Sequence, residues 1–384
     1  MNYTKPVPLI ALLLAVILSA TCFSQAKAVI VSTTTGNTTA PEDDFGFANV
    51  GVKGSSTGVY LGYRWVLTAA HTSAADITLN GQVYQYETGT DTRLTNPTGL
   101  GLSEYTDLRL FRITEDPWLP TLKIAETQPE VWDEIVMIGN GNNRADTLKA
   151  WNIDTEYSEQ ETWVWTETDL PGDIQGYLYG SGKTLRWGTN RVEPGMYTIS
   201  LGSTNQFLGF FTDFDHYDGT EFEAQAATGD SGGGVFHKNG DQWELAGIIH
   251  AVSTFPNQPS QAIYGLETYC SDLSVYRDII LDIITPLSGD ANLDGTVNAV
   301  DASIMAANWG RTDHVLWGHG DFNEDGVVDS EDAALLAQNW GTSSSGSTPA
   351  ETALPNAIPE PSGCILLLAG LATVLLRLRR QDTP

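Results

Sequence analysis

The chain contains Gly229-Asp230-Ser231-Gly232-Gly233, a glycine-rich turn that carries one serine. Two other short strings precede it: residues 68–71, which read Thr-Ala-Ala-His, and residues 106–111, which read Thr-Asp-Leu-Arg-Leu-Phe. The first string follows an apolar run with the composition of a strand, and the second opens an alternating apolar run. The chain therefore presents a histidine, an aspartate and a serine in that order, each beside a predicted strand.

These three residue types suit nucleophilic catalysis. A serine hydroxyl is a weak nucleophile at neutral pH, so it needs an imidazole that accepts its proton, and His71 is assigned that role. A carboxylate on the other ring nitrogen fixes the tautomer and stabilises the imidazolium, which is the role assigned to Asp107. Glycines let the backbone amides of Gly229 and Ser231 converge on an oxygen that becomes negative. The sequence thus predicts a triad and an oxyanion hole.

The order and the three strings resemble the trypsin/chymotrypsin-like serine peptidases of the PA clan, over roughly residues 45–285. The resemblance implies an all-β fold, a trypsin-like double β-barrel with a C-terminal helix. It also implies peptide-bond hydrolysis through an acyl-enzyme, with no cofactor for catalysis. A specificity pocket would involve Gln225, six positions before Ser231, and His250. A cationic His250 would favour an acidic substrate side chain, and a hydrogen-bonded histidine without a selective role is the alternative.

The chain departs from this family near its N-terminus. Zymogen-activated members expose a new Ile or Val amino group, from an Ile-Val-Gly-Gly string, that pairs with the aspartate just before the serine. No such string occurs here, and residues 29–31 and 49–52 match it only in part. The sequence therefore argues against this route of activation and leaves the partner of Asp230 open.

The three cysteines predict a chain without internal disulfides. Cys22 and Cys364 lie in terminal apolar segments, which leaves Cys270 as the sole thiol in the middle of the chain. No histidine or second cysteine lies near Cys270 in sequence, so it is predicted to be a small buried hydrophobic residue. Such a chain depends on core burial for its stability.

Local patterns predict several elements of the peptidase region. Asn80-Gly81 lies between two alternating runs and predicts a hairpin. Residues 134–139 and 196–201 are predicted strands, and residues 151–165 are predicted to form an inserted hairpin or loop whose aromatic residues belong to the core and the barrel surface. Apolar residues at helical spacing over residues 273–285 predict a closing helix.

After Pro286 an internal repeat appears, in which residues 290–301 recur as residues 321–332. Each repeat has glycine at loop position six and oxygen side chains at the spacing that Ca²⁺ selects. The predicted calcium ligands are Asp290, Asn292, Asp294, Thr296, Asn298 and Asp301 in the first loop, and Asp321, Asn323, Asp325, Val327, Asp329 and Asp332 in the second.

Each loop precedes a predicted helix, at residues 302–308 and 333–339, so a loop and a helix occur twice. This arrangement resembles a dockerin-type calcium-binding domain, a small α-helical module in which Asp occupies loop position twelve. The resemblance implies two structural Ca²⁺ ions, and calcium is expected to fold the module because the uncompensated carboxylates repel each other. A cohesin-like partner is left open, since similar modules occur in bacteria that have no cellulosome.

Both ends of the chain are predicted to be targeting segments. Residues 1–28 combine Lys5, an apolar run and Ala26-Lys27-Ala28, which predicts a signal peptide cleaved after Ala28. Residues 359–384 contain Pro359-Glu360-Pro361, an apolar transmembrane-type segment and several arginines. They resemble the PEP-CTERM sorting signal of Gram-negative-type bacteria, which exosortase recognises, and imply transient membrane anchoring. A simple C-terminal tail anchor is the alternative.

The predicted organisation is a signal peptide (1–28), a peptidase domain (29–286), a calcium-binding module (289–342), a linker (343–358) and a sorting signal (359–384). A net charge of −29 with 48 acidic residues argues against nucleic acid as a partner. The predicted function is an exported serine endopeptidase that acts on protein or peptide substrates at the cell surface, in the outer envelope or in the extracellular matrix. Two alternatives stay open: a non-catalytic surface or matrix-binding protein on a peptidase scaffold, and an esterase with the same triad.

Overall fold

The computed structural model describes residues 29–33, 36–155, 163–201, 205–259 and 262–344. The predicted signal peptide, the predicted sorting signal and most of the predicted linker lie outside the described residues, as does the middle of the predicted inserted hairpin. None of the helices in the described ranges combines the length and the hydropathy that crossing a membrane requires.

The first part of the peptidase region forms one antiparallel sheet of seven strands. After the short strand β1 (Ile30–Val31) these are β2 (Val50–Lys53), β3 (Ser56–Gly62), β4 (Trp65–Ala69), β5 (Ile77–Leu79), β6 (Gln82–Tyr84), β7 (Thr92–Thr95) and β8 (Tyr105–Arg112). Their order across the sheet is β6-β5-β2-β3-β4-β8-β7. The predicted hairpin is confirmed, because Asn80 and Gly81 have φ of 47° and 79° and join β5 to β6.

The described residues of the rest of the peptidase region form twelve further strands. They are β9 (Glu134–Gly139), β10 (Asn142–Asp154), β11 (Val164–Thr168), β12 (Ile174–Lys183), β13 (Arg186–Arg191), β14 (Tyr197–Ser200), β15 (Gln206–Asp213), β16 (Ala224–Gln225), β17 (Gly234–Asn239), β18 (Gln242–Val252), β19 (Ala262–Ile263) and β20 (Glu267–Asp272). A second seven-stranded sheet has the order β13-β9-β17-β18-β20-β15-β14. A four-stranded sheet has the order β11-β10-β12-β19, and β16 pairs with β1.

Several predicted elements of this region are confirmed. Strand β9 has the predicted bounds, β14 lies inside the second predicted strand, and residues 151–165 contribute to the paired strands β10 and β11. The closing helix is α1 (Leu273–Ile284), whose first turn is capped by the Asp272 carboxylate, which accepts a hydrogen bond from the backbone N–H of Ser274 at 2.9 Å.

One hydrophobic core joins the two large sheets and α1. It includes Val59 and Leu67 from the first sheet, Ile138 and Leu245 from the second, and Ile280 from the helix. Burial of this kind is the main source of folding free energy, and the one cysteine among the described residues, Cys270, is free. The predicted burial of Cys270 is confirmed as well, since it is fully buried and burial raises the pKa of its thiol.

The C-terminal module consists of two loop-helix units with a short 3₁₀ helix at Trp317–His319 between them. Helices α2 (Ala299–Ala307) and α3 (Ser330–Gln338) begin three residues before the predicted starts. The reason is that both helices are capped from within their loops, at positions nine and twelve: Asn298 with Asp301, and Asp329 with Asp332. Their apolar faces enclose a core of their own around Val297 and Val328.

Candidate active site

His71 and Asp107 meet because the strands that carry them are paired. Strand β4 ends two residues before His71, β8 contains Asp107, and the register places Ala69 opposite Leu108. Asp107 Oδ1 accepts the backbone N–H of His71 at 2.9 Å, and Oδ2 lies 2.6 Å from His71 Nδ1. The Asp107 side chain is fully buried, whereas the His71 side chain is 33% exposed. The carboxylate therefore fixes the orientation of a ring that faces solvent.

The surroundings of Asp107 keep its carboxylate ionised. Burial by itself raises the pKa of Asp107, but hydrogen bonds from His250 and His71 outweigh this effect and hold the pKa well below its usual value. An ionised carboxylate on Nδ1 leaves the other nitrogen of His71 free to accept a proton.

His250 shares the same carboxylate oxygen. Its Nδ1 lies 2.8 Å from Asp107 Oδ2, its side chain is fully buried, and the Phe207 ring packs on it with the centroids 4.2 Å apart. Nε2 of His250 is buried and has no hydrogen-bond partner among the described residues. Burial holds the pKa of His250 below its ordinary value. This placement favours a hydrogen-bonded His250 over a cationic one. A role of His250 in the specificity pocket stays a prediction.

Ser231 lies on the loop between β16 and β17 and reaches the same group of residues. Its Oγ donates to the backbone carbonyl of His250 at 3.3 Å and makes no hydrogen bond to His71 within the described part of the chain. The loop is anchored by Gly232 N–H to Ile249 O at 2.8 Å and by Thr57 N–H to Ser231 O at 3.1 Å. Catalytic hydrogen bonds of free enzymes are often long and tighten with substrate.

The predicted oxyanion-hole amides are those of Gly229 and Ser231. Neither N–H donates to another described residue. Gly229 has φ of 110°, and a Cβ there would lie 2.3 Å from Lys183 Nζ and 3.0 Å from Asn140 O, so only glycine fits. The Gly229 carbonyl accepts a hydrogen bond from Thr57 Oγ1 at 3.0 Å, which fixes this part of the turn.

Asp230 is fully buried beneath this turn. Its carboxylate accepts the backbone N–H groups of Gly141 at 2.6 Å and Ala227 at 2.7 Å, and also that of Val29. A Cβ on Gly139 would lie 2.2 Å from Asp230 Oδ1, so a glycine makes room for the carboxylate. Burial raises the pKa of Asp230 to about 7, against the effect of these amides and of Lys183.

The contact with Val29 bears on the question that the sequence left open. Val29 is fully buried, and the strand that follows it pairs with β16, with Ile30 opposite Gln225. Strand β1 is held through its backbone, so the position of Val29 beside Asp230 does not depend on a full match of residues 29–31 to the family string. Gln225, the predicted pocket residue, is fully buried in the strand that holds this N-terminal segment. Its role in specificity stays a prediction.

Lys53 is a site residue that sequence reasoning missed. It is 2% exposed, and its ammonium donates to Ser73 O at 2.7 Å and to Thr72 Oγ1 at 3.1 Å, in the turn directly after His71. Burial lowers the pKa of Lys53 to about 8. The one available signal was a lysine at the end of the otherwise apolar strand β2.

The calcium loops offer oxygen ligands that fit a hard cation. Asp290 and Asp321, at position one of each loop, are 2% exposed, and burial raises the pKa of both. Asp321 Oδ1 is buried without a hydrogen-bond partner among the described residues. Asp301 and Asp332, at position twelve, are fully buried. No cationic side chain of the described residues pairs with these four carboxylates, and such a set of buried oxygen ligands suits Ca²⁺.

The remaining predicted ligands make the same hydrogen bonds at equivalent positions of the two loops. Asn292 and Asn323 donate through Nδ2 to Asp294 and Asp325, both at 2.9 Å. Thr296 and Val327 donate their backbone N–H groups to the same two aspartates at 2.9 Å. Asn298 and Asp329 accept the backbone N–H groups of Val300 and Glu331 as helix caps, both at 2.8 Å.

The structure combines two antiparallel sheets, a histidine bonded to an aspartate and a serine in a glycine-rich turn. This combination is typical of a peptidase. The family model described as trypsin-like peptidase domain matches residues 56–248, and the dockerin type I domain matches residues 288–339. The chain belongs to the trypsin-like peptidase family and carries a dockerin type I domain, so both resemblances and the fold class are confirmed. A protease domain with a calcium-binding module suggests an extracellular or cell-surface protein.

Similar solved structures are also proteases. They include Rv3671c from M. tuberculosis H37Rv in an inactive form, with 11% identity over 67% of this chain and 96% of that chain and a TM-score of 0.38. Mouse neuropsin has 16% identity over 64% of this chain and 97% of that chain, with a TM-score of 0.38. The murine norovirus NS6 protease has 13% identity over 59% of this chain and 93% of that chain, with a TM-score of 0.32. No curated protein sequence matches the chain.

Proposed function

We propose that the protein is an exported serine endopeptidase that hydrolyses protein or peptide substrates through His71, Asp107 and Ser231. The observation that carries the proposal is the ionised, buried Asp107, which holds both the backbone N–H and Nδ1 of His71. Ser231 lies on a loop tied to His250, the other histidine that contacts Asp107. A carboxylate, an imidazole and a hydroxyl in this relation suit acyl transfer.

The chemical steps follow from these positions. Nε2 of His71 accepts the Ser231 hydroxyl proton while Oγ attacks the substrate carbonyl, and the N–H groups of Gly229 and Ser231 bind the resulting oxyanion. The imidazolium then gives its proton to the leaving amine, which leaves an acyl-enzyme. Water attacks this ester after losing a proton to His71, and the acid product and the free serine are released. Asp107 stays ionised throughout.

Removal of the signal peptide is proposed to complete the site. Cleavage after Ala28 would turn the buried backbone nitrogen of Val29, which contacts Asp230, into an α-ammonium group. An α-amino group has an ordinary pKa of about 7.7–8.0, so most of it is charged at neutral pH. A cation beside a fully buried carboxylate lowers the cost of ionising Asp230 and fixes the turn that carries Gly229 and Ser231.

The calcium loops and the two ends of the chain also bear on function. Two structural Ca²⁺ ions would bind at residues 290–301 and 321–332, and catalysis would need no cofactor. Residues 359–384 would address the chain to exosortase-type machinery, with transient anchoring in the membrane of a Gram-negative-type bacterium. The mature protein would act at the cell surface, in the outer envelope or in the extracellular matrix, with a cohesin-like partner still open.

A fluorophosphonate probe tests the enzyme proposal directly. We expect the chain of residues 29–358, with calcium, to be labelled, Ser231→Ala to be unlabelled, and Ser303→Ala, a control on the exposed side of α2, to be labelled like the parent. Labelling that survives in Ser231→Ala would contradict the assigned nucleophile. Absence of labelling in the parent would favour the binding-scaffold alternative. Labelling without cleavage of any unfolded protein substrate would favour the esterase.

A further inference from the structure

The calcium-binding module contacts the peptidase domain at the turn between β3 and β4. Tyr63 and Arg64 form this turn, with φ of 52° and 66°. The Tyr63 hydroxyl donates to Glu324 Oε1 at 2.8 Å, and its ring meets the Trp317 ring edge-on with the centroids 5.2 Å apart. The left-handed backbone conformation of these two residues therefore presents an aromatic and a cationic side chain to the module.

One backbone carbonyl of the module binds two arginines of the peptidase domain. Leu293 O accepts hydrogen bonds from Arg64 Nη2 at 2.9 Å and from Arg112 Nη2 at 3.2 Å. Hydrogen bonds from a charged donor are stronger than those between neutral groups. A further contact pairs the ring of Trp118 in the peptidase domain with that of His319 in the module, with the centroids 4.9 Å apart.

The two arginines mark the far ends of the strands that carry the proposed dyad. Arg64 directly precedes β4, which leads to His71, and Arg112 is the last residue of β8, which carries Asp107. The register pairs Trp65 with Arg112 at one end and Ala69 with Leu108 at the other. A five-residue strand spans about 17 Å. The module thus holds this strand pair at the end opposite the catalytic residues.

On the module side, the contacts come from equivalent positions of the two calcium loops. Leu293 and Glu324 are both at loop position four, with φ of 58° and 57°. Leu293 directly precedes the proposed ligand Asp294, and Glu324 directly precedes Asp325. The indole N–H of Trp317 donates to the carbonyl of Asp290 at 2.8 Å, so the aromatic contact is also tied to a ligand residue. The loop conformation that ligates an ion is therefore the conformation that presents these groups.

We propose that the module docks on the peptidase domain of its own chain, and that calcium binding in its loops strengthens this docking and stabilises β4 and β8. Without the ion, like-charged carboxylates in each loop repel, and position four loses its fixed place. By linkage, docking must tighten calcium binding by the same factor by which calcium tightens docking. The inference rests on calcium binding by the module and does not depend on peptidase activity.

Hydrogen–deuterium exchange of residues 29–358 tests the coupling, with Ser231→Ala in every sample to prevent self-cleavage. Exchange is followed in peptides covering residues 59–69 and 105–112, with calcium and with EGTA. We expect EGTA to speed exchange there at least threefold in the parent. In the Arg64→Ala/Arg112→Ala variant exchange should be fast in both conditions, and calcium affinity by titration calorimetry should fall at least threefold. Arg191→Ala is the control and should behave like the parent, because the Arg191 guanidinium donates to Asp218 O within the peptidase domain.

A variant on the module side separates docking from damage to the peptidase domain. Glu324→Ala removes the acceptor of the Tyr63 hydroxyl and leaves the peptidase domain unchanged, so it should reduce the calcium-dependent protection of residues 59–69. The proposal is overturned if EGTA speeds exchange in residues 290–301 but not in β4 and β8. It is equally overturned if no part of the module responds to calcium. Neither outcome would bear on labelling of Ser231.

Discussion

The peptidase site and the calcium loops are built on opposite plans. His71 and Asp107 are 36 residues apart, and Asp107 and His250 are 143 residues apart, so the site forms only when two sheets have folded and packed together. Each calcium loop assembles its ligands within twelve residues, between Asp290 and Asp301 in the first. One site thus depends on long-range packing, and the other depends on local spacing and an ion.

The two regions also balance charge differently. In the peptidase site, Asp107 is surrounded by hydrogen-bond donors that lower its pKa despite burial. In the loops, burial raises the pKa of Asp290 and Asp321 and neighbouring carboxylates add to this effect, whereas the backbone amides that donate to them lower it only in part. The first site should therefore be preformed without any ion, whereas the second should need one.

The largest expected effect comes from Asp107→Asn, which acts on the long-range site alone. An amide cannot stabilise the imidazolium, so the rate of peptide hydrolysis should fall on the order of 10⁴-fold. Calcium affinity measured by titration calorimetry should stay within twofold of the parent, because the loops are local. A fall of less than about tenfold in hydrolysis would contradict the role given to Asp107.

Adding one alanine before Val29 should have the next largest effect, because it keeps the nitrogen at Asp230 an uncharged amide. The turn should then position one of the two oxyanion-hole N–H groups, those of Gly229 and Ser231, less accurately. Hydrolysis should therefore fall about 10²-fold to 10³-fold. The comparison is with a chain that begins at Val29, and an alanine added at the C-terminal end is the control. Equal rates for both N-termini would exclude activation by the new amino group while leaving the triad in place.

The same pair of chains should differ in the pH dependence of stability. The pKa of Asp230 is about 7 in the folded chain against an ordinary 3.8, so unfolding releases a proton between these values. The extended chain should therefore lose stability as pH rises from about 4 to 7 and level off above. In the chain that begins at Val29, the ammonium should reduce this loss. Thermal unfolding midpoints at pH 5 and pH 8 measure the difference.

Removing the second histidine should have a smaller effect. His250→Phe deletes one of the two histidine contacts that orient the Asp107 carboxylate, and the resulting misplacement of Asp107 and His71 should lower hydrolysis roughly tenfold to hundredfold. The lost hydrogen bond should also raise the pKa of the Asp107 carboxyl, which an NMR titration measures. His250→Gln keeps an N–H donor and should restore part of both. An unchanged Asp107 pKa in His250→Phe would contradict the role given to this hydrogen bond.

Chelation of calcium should change catalysis least. EGTA should abolish the helical circular dichroism of α2 and α3, as Asp290→Ala with Asp321→Ala should in the presence of calcium. The rate of Ser231 labelling at 25 °C should fall no more than about threefold, because the triad has its own core. Complete loss of labelling on chelation would break the contrast between the two regions.

Local signals were sufficient for part of this molecule. The strings around His71, Asp107 and Ser231, the Asn80-Gly81 hairpin and the repeated loops each depend on a few adjacent residues, and the structure places the predicted strands and turns in those segments. The predicted helix starts lie three residues after the observed ones, because capping by the loop residues Asn298 and Asp329 extends each helix toward its loop.

The features that were missed all depend on distant packing. Nothing near His250 in sequence indicates that it contacts Asp107, and a single lysine at the end of β2 does not show that its ammonium supports the turn after His71. The match of residues 29–31 to a family string does not show where Val29 lies, because its burial and the pairing of β1 decide its position. The docking of the module through Arg64 and Leu293 likewise has no local signature.

The buried position of Val29 has a consequence for the cell that makes the protein. A chain that still carries residues 1–28 has no amino group at this point, so the proposed cleavage after Ala28 implies that proteolytic activity begins only once that cleavage has occurred. No second protease and no inhibitor would then be needed to protect cytoplasmic proteins during synthesis. The boundary between compartments would set the time and the place at which the enzyme becomes active.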